Sequence, residues 1–172
     1  TSLAEIDIAT GEREIIFQVE GADAGGVLRS PRAGEADAII GFTYWDEEGP
    51  QRYFTNENMA GLYAGLEQAF PGRRVSVLKV SEDGETILVY TSGPQDIGTY
   101  YMLRGGAAAK IASVSNDLTP DVLARTEVVE YTGRDGRQLS GYVTIPDGEG
   151  PFPGITMPHG GPWVRDSFGY DE

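Results

Sequence analysis

The stretch richest in chemistry is His159-Gly160-Gly161, followed by Pro162-Trp163. It leaves a short, mostly apolar run, Gly154-Ile155-Thr156-Met157, which reads as a buried strand. A strand that delivers two glycines exposes main-chain N–H groups where no Cβ blocks an approaching substrate carbonyl. That is the chemistry of an oxyanion hole, in which fixed N–H donors stabilise the negative charge that develops on a carbonyl oxygen under attack. Gly161 is the favoured donor and Gly160 the second, with His159 orienting the loop. The bland alternative is a Gly-Gly turn at the end of a strand, with His159 hydrogen-bonded locally.

The rest of a hydrolytic apparatus is not found. His159 is the one histidine, so a His₂ or His₃ metal site within the chain is excluded, and a Ser-His-Asp triad would have to use the same residue as its base. There is no cysteine, which excludes thiolate nucleophiles, disulfides and Cys-ligated zinc. No G-x-S-x-G nucleophile elbow occurs. Ser81, Ser92 and Ser140 sit at turn or strand positions with no base in the pattern, and read as structural or solvated. Asp46-Glu47-Glu48 is an acidic turn that reads as a solvated loop rather than a cation site. Tyr44-Trp45 and Tyr100-Tyr101 read as sheet packing. No metal and no cofactor is expected.

Charge narrows the partners. Thirteen Lys and Arg against 27 Asp and Glu leave a net charge of −14 over 172 residues. Such a surface repels nucleic-acid phosphates and anionic membranes. No apolar run approaches the ~18 residues needed to cross a bilayer. The chain begins at Thr1 without a leader pattern and closes on Phe168-Gly169-Tyr170-Asp171-Glu172 after a loop signal, so both ends read as cut from something longer. A soluble protein is expected, cytoplasmic rather than periplasmic.

Most of the chain consists of short strands. In residues 1–116, apolar residues alternate between turn signals over Leu3–Ile8, Glu14–Val19, Gly26–Ser30, Ala38–Trp45, Gln51–Thr55, Arg74–Val80, Thr86–Ser92, Gly98–Leu103 and Ala109–Val114, nine strands in all. One helix interrupts them over Asn58–Phe70. Met59, Leu62, Tyr63, Leu66 and Phe70 make its apolar stripe, Asn58 is the expected N-cap, and Pro71-Gly72 is the stop. Turn-like stretches at Ser30–Glu35 and Ser81–Glu85, with Gly34 and Gly84 fifty positions apart, suggest four-stranded propeller blades. Nine strands make about two blades, too few to close a ring of roughly 4–8. After Asn116, Leu118–Arg125 reads as a capped turn or short helix. Thr126–Thr132 and Leu139–Ile145 then flank the turn Arg134-Asp135-Gly136-Arg137, and the loop 146–153 leads to the run 153–158.

The stretch Glu127-Val128-Val129-Glu130-Tyr131, Asp135-Gly136, Leu139–Pro146 and His159-Gly160-Gly161-Pro162-Trp163-Val164-Arg165-Asp166 resembles prolyl oligopeptidase family serine peptidases. The similarity is to their bacterial acylaminoacyl-peptidase and dipeptidyl-peptidase-like branch. The resemblance implies a mainly β chain. Residues 1–116 would be the C-terminal part of a β-propeller, about two blades with one inserted helix. Residues 117–125 would be a linker, and 126–172 the first strands of an α/β-hydrolase domain. It further implies a serine peptidase acting on short peptides, with its triad downstream of the His-Gly-Gly loop, so the 172 residues alone are expected to be inactive. Open blade edges and a partial hydrolase sheet lead to an expectation of self-association. The competing expectation is a small acidic β-rich binding module without catalysis.

Overall fold

The computed structural model describes residues 1–46, 49–161, 164 and 166–170. Among them are eleven strands and one helix: β1 (Ser2–Ile6), β2 (Arg13–Gln18), β3 (Asp23–Arg29), β4 (Ile39–Asp46), β5 (Gly49–Phe54), α1 (Glu57–Ala69), β6 (Arg74–Val80), β7 (Thr86–Gly93), β8 (Asp96–Arg104), β9 (Ala107–Ser113), β10 (Arg125–Thr132) and β11 (Gln138–Ile145). They pair antiparallel as β1-β2, β3-β4-β5, β6-β7-β8-β9 and β10-β11. The chain is therefore mainly β with open sheets, and the nine strands expected before residue 116 correspond to β1–β9. No described helix is long and apolar enough to cross a membrane.

The hairpins close by one recurring device. A short Asp side chain accepts main-chain N–H groups two or three residues on, and a glycine supplies the left-handed backbone that a tight turn needs. Asp7 accepts from the Ala9 and Thr10 N–H groups at 2.7 and 3.0 Å. Asp83 accepts from the Ser81 hydroxyl and from the Glu85 N–H, beside Gly84 at φ 76°. Asp135 accepts from the Arg137 N–H, beside Gly136 at φ 83°. Hydrogen bonds to the ionised form hold two of these carboxyls below the ordinary carboxylate range: Asp7 through the Thr10 and Ala9 N–H groups, Asp83 through the Ser81 hydroxyl and then the Glu85 N–H.

The core lies where α1 covers the four-stranded sheet. Tyr63 and Leu66 bury against Val75, Val77 and Val80 of β6 and Val89 of β7, with Met59, Leu62 and Phe70 at the margin, so all five stripe residues face the sheet. The helix starts one residue earlier than expected, and its N-cap is Asn56 rather than Asn58. Asn56 is extended after β5, and its Oδ1 accepts the Met59 N–H at 3.1 Å, which leaves Glu57 in the first turn. A second, smaller packing centre joins the β1-β2 hairpin to the three-stranded sheet: Phe17 stacks on Phe42 at 4.6 Å and lies against Tyr44 and Tyr53.

The turn-like stretches around Gly34 and Gly84 meet in space. Arg32 bridges Val80, and its guanidinium lies 3.3 Å from where a Cβ on Gly84 would stand. Residues 118–125 take the turn alternative rather than the helix, with the Val122 N–H bonded to the Thr119 carbonyl oxygen. One expectation fails. The run 153–158 is no buried strand: it pairs with nothing among the described residues, and Ile155 and Met157 are 86% and 80% exposed. Apolar composition makes a strand only where a neighbour offers a ladder, and neither β10 nor β11 offers one to this run.

Candidate functional site

The His-Gly-Gly loop follows the β10-β11 hairpin. That hairpin pairs in unbroken register from Arg125↔Ile145 to Thr132↔Gln138. One face carries Val129, Tyr131, Leu139, Val143 and Ile145. The other carries Val128 and Tyr142, and the Phe168 ring lies tilted against Tyr142 at 5.5 Å. Residues 151–161 are irregular and exposed, with no strand pairing and a bend at Gly160. His159 Nδ1 lies against the Gly160 carbonyl oxygen, and because a carbonyl only accepts, Nδ1 is the donor. A Cβ at Gly160 would meet nothing within 4 Å. Gly161 is exposed. Pro162, Trp163 and Arg165, which belong to the same motif, lie outside the described residues, as do Glu47 and Glu48 of the acidic turn.

The remaining candidates resolve into structure. The Ser81 hydroxyl ties its turn to the Thr86 carbonyl oxygen and N–H. Ser140 lies exposed in β11 and Ser92 half-buried in β7. Asp46 accepts from the Gln51 side chain. Tyr44 packs on Phe17, Tyr100 on Tyr90, and Tyr101 on Phe70. No group of three or more His, Asp or Glu converges among the described residues.

Two polar constellations escaped the reading of the sequence. Asp96, 6% exposed, opens β8. Its Oδ2 accepts from Arg73 at 3.0 Å and from the Thr91 hydroxyl, and its Oδ1 accepts from the Gly98 N–H at 3.1 Å and the Thr99 hydroxyl at 2.8 Å. Arg73 also reaches the Tyr101 hydroxyl at 3.1 Å. With every acceptor site engaged, this carboxylate joins the start of β6 to β7 and β8 and has no capacity left for a substrate. Burial, then Tyr100 and Asp96 nearby, raises the Tyr90 hydroxyl above its ordinary value. The second constellation is Arg52, stacked over the Tyr63 ring at 4.9 Å, 3.9 Å from Glu67, and donating to the Val75 carbonyl oxygen at 2.9 Å. A Thr-x₄-Asp-x₂-Thr spacing, short hydroxyls flanking an acid at a hairpin, was the available signal for Asp96. Nothing in the sequence marks Arg52.

No protein-family model matches the chain. It is 29% identical over 179 residues to dipeptidyl aminopeptidase BIII of Pseudoxanthomonas mexicana, a match that covers 98% of this chain and 25% of that protein. The chain thus spans about a quarter of the length of the curated relative it matches, and what the similarity supports is a distant relationship to a peptidase.

Proposed function

We propose that these residues are the junction of a serine-type peptidase. Residues 1–116 are the end of a β-propeller, with β6-β7-β8-β9 as one complete blade, 117–125 are a linker, and 126–172 open an α/β-hydrolase domain. The observation that carries this reading is the similarity to a dipeptidyl aminopeptidase along 98% of the chain, which carries His159-Gly160-Gly161. In the longer parent, the serine, acid and histidine of the triad come from other residues. The Gly161 N–H, with Gly160 second, stabilises the oxyanion as a serine attacks the carbonyl of a short peptide, and His159 orients the loop. That requires the loop, exposed here, to be covered in the parent, because an N–H donor is effective only where water is excluded. The 172 residues alone have no nucleophile elbow, so they do not turn over substrate, and their uncovered apolar positions on β10 and β11 favour self-association.

A backbone donor cannot be removed by truncating a side chain, so the test is steric. Gly161→Val in the full-length parent lowers turnover of an aminoacyl chromogenic substrate by about 10²–10³, while serine labelling by a fluorophosphonate and the thermal midpoint largely persist. Turnover near wild type with only a shifted midpoint would reduce the loop to a turn. Purified 172-residue chain assayed alongside gives no hydrolysis, and labelling of one of its own serines would overturn the junction reading.

A further inference from the structure

The four-stranded sheet has two edges, and they are finished differently. Along β6 four outward backbone groups are occupied. The Val75 carbonyl oxygen accepts from Arg52 at 2.9 Å, the Val77 N–H donates to the Tyr63 hydroxyl at 3.1 Å, and the Val80 N–H and carbonyl oxygen pair with Pro31 and Ala33 at 2.9 and 3.1 Å. Side chains from β5 and α1, together with the segment after β3, close this edge to any further strand. Along β9 no such cover exists. Ala107–Ser113 pairs with β8 on one side, and among the described residues no hydrogen bond leaves its other side. The strand is exposed from Ala107 to Ala112.

Beside the open edge lies a cavity of about 110 Å³ between the sheet face and the segment that follows β9. Its lining includes Arg73, Tyr101, Lys110, Ser113, Ser115 and Asn116. Asp96 borders it too, but Arg73 offsets its charge and four donors in all saturate that carboxylate. Lys110 has no anionic partner among the described residues. Charge along the chain points the same way. Residues 71–121, which span the sheet and the segment lining the cavity, hold five Lys and Arg against six Asp and Glu, a net −1, whereas the other residues hold eight against 21, a net −13. At physiological ionic strength a ligand senses charges within about 8 Å, so at this edge an acidic group meets the unpaired Lys110 and less repulsion than the rest of the surface offers.

We propose that β9 is a strand-addition site for an acidic, extended segment of another protein. The partner's main chain pairs with Ala107–Ser113, and one Asp or Glu side chain enters the cavity toward Lys110. Main-chain pairing supplies affinity and the single pocket supplies selection, the usual division in strand addition. A second copy of this chain is a poorer occupant. Laid antiparallel about the middle of β9 it would set Lys110 against Lys110, and like charges directly across a ladder are destabilising. This inference goes beyond the peptidase reading and does not depend on it.

The test uses an acetylated, amidated seven-residue peptide of alternating threonine and valine with glutamate at its centre, titrated into the ¹⁵N-labelled chain. The expected result is saturable shifts of the Ala107–Ser113 amides. Lys110→Glu weakens binding about tenfold, and a lysine-centred peptide recovers affinity for that variant. N-methylation of alternate peptide amides abolishes binding. Equal affinity for a glutamine-centred peptide, tolerance of N-methylation, or shifts confined elsewhere would overturn the proposal. Shifts of the same amides on raising the protein concentration without peptide would assign the edge to a second copy and overturn it equally.

Discussion

The β6-β7-β8-β9 sheet and the β10-β11 hairpin invert an easy assumption about strands. The hairpin has the cleaner ladder, eight paired positions without a register shift. Each of the three pairings in the four-stranded sheet has a shift. Yet Val89 and Thr91 in the irregular sheet are fully buried, while Tyr131, Leu139 and Tyr142 in the regular hairpin are 56%, 41% and 44% exposed. Backbone pairing thus makes a strand without making a core. A core requires a second layer over the sheet, and α1 supplies it for β6 and β7. The comparison also separates two kinds of polar group. Asp96 is structural because its site is closed, whereas His159 and its glycines retain unsatisfied capacity because their loop is open.

The largest effect that would sharpen this contrast comes from Asp96→Ala. It leaves the half-buried Arg73 guanidinium and the buried Thr91 and Thr99 hydroxyls without their acceptor, and each polar group stranded in this way costs about 1–3 kcal/mol. Urea unfolding of the variant measures it, and a loss below about 1 kcal/mol would show that the constellation is incidental. Next, Leu66→Ala, at a position 3% exposed, costs about 2–5 kcal/mol, whereas Leu139→Ala stays within about 0.5 kcal/mol. Equal losses from the two truncations would break the comparison, since they would give the hairpin a cover as complete as that of the sheet. The smallest effect is a pH dependence. Asp7 and Asp83 have folded pKa values held below the ordinary value, so each contributes stability that is present above the unfolded carboxylate pKa and lost as pH falls through the folded one. Stability therefore declines on acidification below about pH 4, and Asp83→Ala shows a shallower decline there. An unchanged acid limb in that variant would mean that Asp83 has the same pKa in the unfolded chain.

The sequence made strand positions legible because alternation and turn residues are local properties. Gly11, Gly84 and Gly136 all occupy the left-handed turn positions that their contexts demand. The helix was legible for the same reason, since its stripe depends only on spacing. Asn56 was missed as the cap because two asparagines stand two residues apart, and the exit direction of β5 decides between them. Asp96 and Arg52 were missed because their partners are brought together by pairing across strands, at separations of up to 23 residues, where no periodicity reports them. The run 153–158 was misread because its composition suits a buried strand whether or not a neighbour is present. The loop at His159-Gly160-Gly161 was legible as a motif, but its chemistry depends on what covers it.

The stitching of the β6 edge also sets an order of events during folding. Pairings β6-β7, β7-β8 and β8-β9 join strands that follow one another through short turns, so each closes a small loop at low entropic cost. The bonds from Arg52 to Val75 and from Tyr63 to Val77 bridge 23 and 14 residues and need β5 and α1, respectively, already in place. Each hairpin starts at its turn, where Val80↔Ile87, Gly93↔Asp96 and Arg104↔Ala107 lie three to seven residues apart, closer than either of those bonds, so the meander starts with both edges open and the β6 side is sealed afterwards. Until it is sealed the nascent sheet is symmetric in its capacity to capture a stray strand, and the Tyr63 hydroxyl serves as the late-closing latch that ends this vulnerability. Pulsed hydrogen exchange in which the Val77 amide gains protection after those of the β7-β8 hairpin would record that sequence, and the reverse order would refute it.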